Sequence, residues 1–454
     1  MPSQTSKLFR FIRTISIGSI LAITIPASIC HGEGNLKYGA NIRIYQEFRK
    51  NTFDKITRSL KDEDFLRLST SLWGSYEPKP DMKGYIKLTN ESKYYLESPN
   101  PDNRHLKTDD VFIENLFLEL KNIAALPVDL KAGRQNITYG DGFIVYDGTA
   151  NDRDRSIYFN AIKTTWRFHQ DHSIDMVYIN DPKTDKFLPT LYSADNTGSQ
   201  YQGHKRILEA SDEQGVVVYS KNTIANGINL EPYYIYKKED RISASIPELD
   251  LHTIGVRAVY ERNGWRMSSE LAGQFGEYEG GRDRDGYGAY LSARRTMEDA
   301  LWKPRFELTH VNLSGDNPNS SSHEGWDPVF SRWVWLLKFY TQHYLPETGS
   351  SSYWTNLQLY RATTRLNFTP QTNLFVSYNY LRANETTRVT GPNASFLSND
   401  GKERGHLFQT KLSHVFNKYF DAYVGGEYFV PGNFYKLKSP EALLYWQLQF
   451  KVGS

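Results

Sequence analysis

Apolar and polar residues alternate singly along most of this chain. Leu36, Tyr38, Ala40, Ile42 and Ile44 fall on one side of an extended segment, and Lys37, Asn41, Arg43, Glu47 and Arg49 on the other. Successive side chains of a strand point to opposite faces, so a period of two predicts a strand between two different media. The pattern recurs where Leu66, Leu68 and Leu72 oppose Arg67, Ser69 and Ser71, and where Leu116, Leu118 and Leu120 oppose Asn115, Glu119 and Lys121. Ile254, Val256, Ala258 and Tyr260 oppose Thr253, Arg257 and Glu261, and Tyr360, Ala362, Leu366 and Phe368 oppose Arg361 and Arg365. Strands are predicted at about 36–49, 65–77, 83–92, 111–122, 128–137, 158–169, 173–179, 215–221 and 228–237. A second set follows at about 251–261, 265–275, 287–296, 304–312, 354–368, 372–382, 405–416, 420–430 and 442–452.

One stretch tests this reading. Glycines 133, 140, 142 and 148 follow an apparent strand and surround Arg134, as in a phosphate-cradling loop. Such a loop must open a helix, whose N-terminal amides bind the anion. Here a polar loop leads instead to Ala161–Phe168, which alternates like a strand. By that alternation Val128, Leu130 and Ala132 share one face with Ile162, Trp166 and Phe168, while Asp129, Lys131, Lys163 and Arg167 share the other. Residues 138–157 then form an external loop, part of it folded inward, with Arg134 at a basic gate.

The connections alternate between short and long. Residues 170–172, 262–264, 370–372 and 417–419 make tight turns, whereas 180–214, 313–353 and 383–404 are long. A soluble sandwich also wets one face of its strands, so alternation alone leaves both architectures open. The asymmetry of the loops favours a transmembrane barrel with tight periplasmic turns and long external loops. The expected fold is therefore all-β, a single antiparallel up-and-down β-barrel of about eighteen strands. In the last strand Leu444, Trp446, Leu448, Phe450 and Val452 face outward, the kind of ending that outer-membrane assembly machinery recognises in its clients.

Composition adds the compartment. Lys7, Arg10 and Arg13 precede an apolar run from Ile15 to Ile29, which reads as a secretory signal over 1–32 with the barrel occupying 33–454. Cys30 is the single cysteine, so no disulfide framework is expected; a lipid anchor there is disfavoured by the neighbouring Ile29. Tyr occurs 31 times, Phe 24 and Trp 9, enough for aromatic girdles at two membrane interfaces.

The chain as a whole is close to neutral, but Lys and Arg outnumber Asp and Glu on the polar faces. Arg43, Arg67, Lys87, Lys131, Arg134, Lys163, Arg167, Arg257, Arg361, Arg365 and Lys411 are the candidates to line a basic lumen, where low-dielectric walls concentrate anions. Many of these charges should pair in ladders, for example Lys87 with Glu91 or Arg257 with Glu261. Catalytic and metal motifs are scarce. Ser413 and His414 are adjacent and so lie on opposite faces, and Arg282–Gly286 reads as a solvated external tip rather than a calcium loop. No enzyme activity, cofactor or nucleic-acid partner is expected. A structural or adhesion barrel with a plugged lumen and a secreted all-β carbohydrate-binding enzyme are the competing readings.

Several stretches resemble the alginate export family of outer-membrane barrels. They include the basic first strand around Arg43, Val111–Leu120, the Gly133-Arg134-Gln135 and Tyr139-Gly140-Asp141 signature with Phe159-Asn160-Ala161, Trp326–Phe330, Tyr353–Leu357 and Glu427–Gly432. The resemblance implies an electropositive pore that exports an anionic polysaccharide, with Arg134 as the signature arginine. It also implies membrane lipid, the barrel assembly machinery and periplasmic export components as partners. The family usually has Asp where this chain has Asn160, and the alginate exporter has a long periplasmic lid turn where this chain has short turns. A more general porin for anions or oligosaccharides is the alternative within the family.

Overall fold

A computed structural model describes residues 34–53, 60–97, 106–146, 158–195, 200–204, 206–243, 246–331, 335–387 and 395–453. The expected signal segment lies outside the described residues, as do Gly148 and the rest of 147–157. The first strands are β1 (Asn35–Phe53), β2 (Leu60–Lys79), β3 (Met82–Glu97), β4 (Leu106–Leu120), β5 (Val128–Gln135), β6 (Phe159–His169) and β7 (His172–Asp181). After two short strands, β8 (Thr190–Asp195) and β9 (Gln200–Gly203), come β10 (Glu213–Ala225), β11 (Ile228–Glu239), β12 (Leu249–Arg262), β13 (Trp265–Tyr278), β14 (Arg282–Thr296) and β15 (Arg305–Leu313). The last five are β16 (Leu357–Asn367), β17 (Thr372–Arg382), β18 (Glu403–Asn417), β19 (Phe420–Pro431) and β20 (Glu441–Gly453).

Each long strand pairs antiparallel with its sequence neighbours. β1 closes the ring on β20, in a register that sets Ala40 opposite Val452 and Gln46 opposite Trp446. Since β8 and β9 belong to the loop over 182–212, the result is the expected closed barrel of eighteen strands. Closure leaves no free edge, which is what lets a sheet cross a membrane with its backbone groups satisfied. The alternation sorts as expected: Ile42, Leu72, Ile162, Leu271, Leu308, Leu444 and Val452 are exposed on the outer face. Near the short-turn end Trp166, Phe168, Trp265, Trp302, Phe368 and Phe416 project outward as an aromatic belt, and the Arg295 guanidinium lies 5.3 Å from the centre of the Trp265 ring.

Three features differ from the expectation. β14 begins at Arg282 rather than at 287, so Arg282–Gly286 is strand, not loop tip. The side chain of Arg284 is buried near Asp327 and donates to the Tyr278 hydroxyl. Second, β8 pairs with the upper part of β4, opposing Thr108–Phe112, where the short β5 leaves the wall incomplete. Third, the extracellular half of the interior contains an apolar core. Val177, Ile179, Val217, Ile235, Val311, Leu359, Leu381 and Leu407 point inward and are fully buried under inserted loops. Each such side chain contributes roughly 1.5–3 kcal/mol on burial, so these loops are held as a packed core rather than draped over the mouth.

Candidate functional site

The signature stretch builds the seam between β4, β5 and β6. Gly133 has φ 122°, and a Cβ there would meet the Leu116 carbonyl oxygen at 2.2 Å, so only glycine fits. The Gln135 amide then donates to the carbonyls of Lys131, Gly133 and Ala161. Arg134 stands in register with Leu116 and Asn160, on the same side as the outward-facing Leu116 and Ile162. Its guanidinium is buried outside the lumen: Nη1 donates to the Ile113 carbonyl at 2.9 Å, Nε to Asn160 Oδ1 at 2.9 Å, and Nη2 to both Asp185 oxygens at 2.7 Å. Ile113 lies at the junction where β4 changes partner from β5 to β8, so Arg134 staples the wall there. Asp185, from loop 182–212, supplies the negative partner that Asn160 does not. The same loop puts Arg206 on the inner side, 3.6 Å from Glu91 and 3.4 Å from Asp110.

After the seam the chain turns into the barrel. Tyr139 donates to Asp175 at 3.0 Å and stacks on Tyr219 with ring centres 4.2 Å apart. Gly140, at φ 55°, leaves room for Arg257, whose Cδ would lie 2.6 Å from an added Cβ. Asp141 accepts from Arg257 at 3.0 Å, from Arg266 at 3.1 Å and from the Tyr290 hydroxyl at 2.7 Å. Burial opposes ionisation of Asp141, but Arg257, Tyr290 and Arg266 together hold its carboxyl below the usual carboxylate range.

A second loop, 314–356, meets the first. Phe330 and Ile144 are bonded through their backbones at 3.1 Å, Phe143 stacks on Trp326 at 5.1 Å, and the Trp335 indole donates to the Asp141 carbonyl at 3.0 Å. A 3₁₀ helix, Phe339–Tyr344, and one α-helical turn, Leu345–Thr348, then cross toward β18–β20 and β1. Arg404 binds both Glu347 oxygens at 2.9 and 2.7 Å, Tyr340 and Tyr435 share a hydroxyl contact at 2.6 Å, and His343 lies 3.0 Å from Glu441. Lys338 reaches Glu47 of β1 at 3.6 Å. The two loops together fill part of the lumen cross-section.

The inward cations divide into two groups. Lys87 pairs with Glu114 at 2.8 Å, Lys163 with Asp175 at 2.9 Å, Arg257 with Asp141 and with Glu231 at 2.7 Å, and Arg167 with Asp129 beside the short turn over 121–127. The expected ladders therefore have other partners than Glu91 and Glu261. Residues four apart in one strand share a face but lie about 13 Å apart at 3.3 Å per residue, whereas cross-strand neighbours are about 5 Å apart. Arg67 lies over the Phe65 ring at 4.6 Å. In contrast, Arg43, Lys131, Arg305, Arg361, Arg365 and Lys411 have no salt-bridged carboxylate among the described residues. Arg305 and Arg365 are direct register partners, and Arg361 donates to the Leu336 carbonyl of the inserted loop at 3.1 Å. Like charges placed opposite each other in a sheet repel, and Glu307 two residues along β15 offsets part of that repulsion. Arg305 was not among the candidates, although its alternation with the exposed Phe306 marks it as inward. Lys338 has no such signal, because it lies on a loop.

Comparison with known proteins places this architecture. No curated protein sequence matches the chain. Among solved structures, the outer membrane protein OpdK of Pseudomonas aeruginosa has a TM-score of 0.57 at 12% identity, with 92% of this chain and 99% of that one covered. OccK2 (OpdF) of Pseudomonas aeruginosa, solved in complex with glucuronate, has a TM-score of 0.56 at 10% identity, covering 92% of this chain and 98% of that one. OccK8 (OprE) of the same organism has a TM-score of 0.56 at 9% identity over 92% and 98%. These likenesses are of fold. A family model described as "Alginate export" matches residues 35–447, nearly the whole barrel, and the chain accordingly belongs to the alginate export family of outer-membrane β-barrels.

Proposed function

We propose that this barrel is a channel for anionic sugars, from single carboxylated residues to polyuronate chains. The observation that carries the reading is the set of inward cations with no salt-bridged carboxylate among the described residues, Arg43, Arg305, Arg361, Arg365 and Lys411, on strands β1, β15, β16 and β18. A carboxylate entering this lumen exchanges its water for guanidinium and ammonium donors, and bidentate geometry suits arginine to that exchange. Family membership supports an anionic polysaccharide as the cargo, and the glucuronate in OccK2 shows that a barrel of this fold holds a uronate. Residues 1–32 act as the secretory signal in this proposal, and the aromatic last strand presents the chain to the assembly machinery. Lys87, Lys163 and Arg257 serve as paired wall charges that shape the field, and Arg134 serves the wall.

The test is block of single-channel current in a planar bilayer by oligouronates, against neutral oligosaccharides of equal length. Concentration-dependent block by the uronates alone is expected. Equal block by both, or by neither, would reject charge-based recognition. The apolar packing of the described parts of loops 136–158 and 314–356 inside the barrel favours a second reading, a plugged structural barrel; it predicts no ion conductance at all.

A further inference from the structure

A cleft of about 340 Å³ opens on the outside of the barrel, beside the extracellular end of β5. Leu116, Ile162 and Tyr178, all outward-facing, form its wall together with Asn160 and Asn180, and Phe187 and Leu188 of loop 182–212 overhang it. Its floor is Arg134, only 2% exposed. The size is that of a ligand pocket, and the position is continuous with the lipid-facing band.

We propose that this cleft binds one acyl chain of an outer-leaflet lipid. Water is a poor occupant, because a trapped water needs two to four polar partners. The guanidinium donors of Arg134 are committed to Ile113, Asn160 and Asp185, and the Asn160 amide to Arg134 and Asp181. An empty cleft is also unfavourable, since its apolar lining forfeits dispersion contacts on the open side. A hydrocarbon chain satisfies both conditions and is the solvent at that face. The overhang distinguishes the site from the rest of the outer wall: Phe187 and Leu188 give the chain a second contacting surface, so it exchanges more slowly than the lipids that merely surround the barrel. The inference is independent of what the lumen carries.

The test reconstitutes the full chain into phosphatidylethanolamine and phosphatidylglycerol vesicles, then counts lipids retained on release in native mass spectrometry. The wild type is expected to keep one lipid under activation that strips the others. Ile162→Trp, which fills the cleft, and Phe187→Ser, which removes the overhang, should each lower the retained fraction at least several-fold. Leu291→Trp, at another exposed outer position, should leave it unchanged. Heat-modifiable migration establishes that each variant is a folded barrel, and the loop variant Phe187→Ser carries the test if Ile162→Trp does not assemble. Indiscriminate loss of lipid by the wild type, or retention by both cleft variants equal to that of the wild type, overturns the proposal. Unchanged conductance in these variants separates this result from the channel reading.

Discussion

At the scale of single residues, Arg134 and Asp141 carry the two halves of the signature into different jobs. Arg134 and Asp185 form a buried pair with 1% and 2% of their side chains exposed. Removing one partner of such a pair leaves an uncompensated charge and costs about 3–5 kcal/mol. Arg134→Ala should therefore lower the midpoint of heat-induced barrel unfolding, followed by gel migration, while ion selectivity stays as in the wild type. A selectivity change with an unchanged midpoint would return Arg134 to the lumen. Asp141 has a depressed carboxyl pKa, so its tether is in place above the ordinary Asp value of about 3.9 and is lost as pH falls through the lower folded value. Channel noise should accordingly be the same at pH 6, pH 5 and pH 4 and rise only as the pH falls below the ordinary Asp range. Asp141→Asn should show the raised noise already at pH 6. Quiet currents from that variant would mean the loop is held by its apolar packing alone.

At the scale of elements, the strands were legible because the two faces of a barrel wall meet different media. Leu36 to Ile44 and Leu444 to Val452 announce themselves by period two alone. The inserted loops were not legible, since Tyr139, Trp326 and Tyr340 find their partners across the barrel rather than along the chain. A trace of them was nevertheless present. Val216, Val217 and Val218 are consecutive, and the middle one is fully buried inside the wall, as in a strand covered on both faces. The outward position of Arg134 was likewise implicit in the alternation of Leu130 and Ala132; what no local pattern supplied was Asp185, from beyond β7, to neutralise it. The crossing segment hangs on Arg404 and Glu347, the former fully buried. Glu347→Gln should loosen it, giving larger, noisier single-channel steps and a lower unfolding midpoint, because the buried Arg404 loses its carboxylate. Steps identical to the wild type would show that Tyr340 and Tyr344 hold the segment without the ion pair.

At the scale of the whole molecule, a nearly neutral chain arranges its charges asymmetrically. Carboxylates pair directly with cations of β3, β6 and β12, whereas Arg305, Arg361, Arg365 and Lys411 of β15, β16 and β18 have no salt-bridged carboxylate among the described residues, Glu307 being the nearby acid on β15. In a narrow lumen with low-dielectric walls, that imbalance sets which ions enter. The family and the fold give a barrel in the outer membrane, and the proposed function rests on this imbalance making it anion-selective. The most direct measurement is the reversal potential of the reconstituted protein in a planar bilayer under a potassium chloride gradient. The account predicts anion selectivity, moved toward cations by Arg361→Glu together with Arg365→Glu in a barrel that still migrates as folded. A cation-selective wild type, or a double variant whose reversal potential does not move, would contradict it.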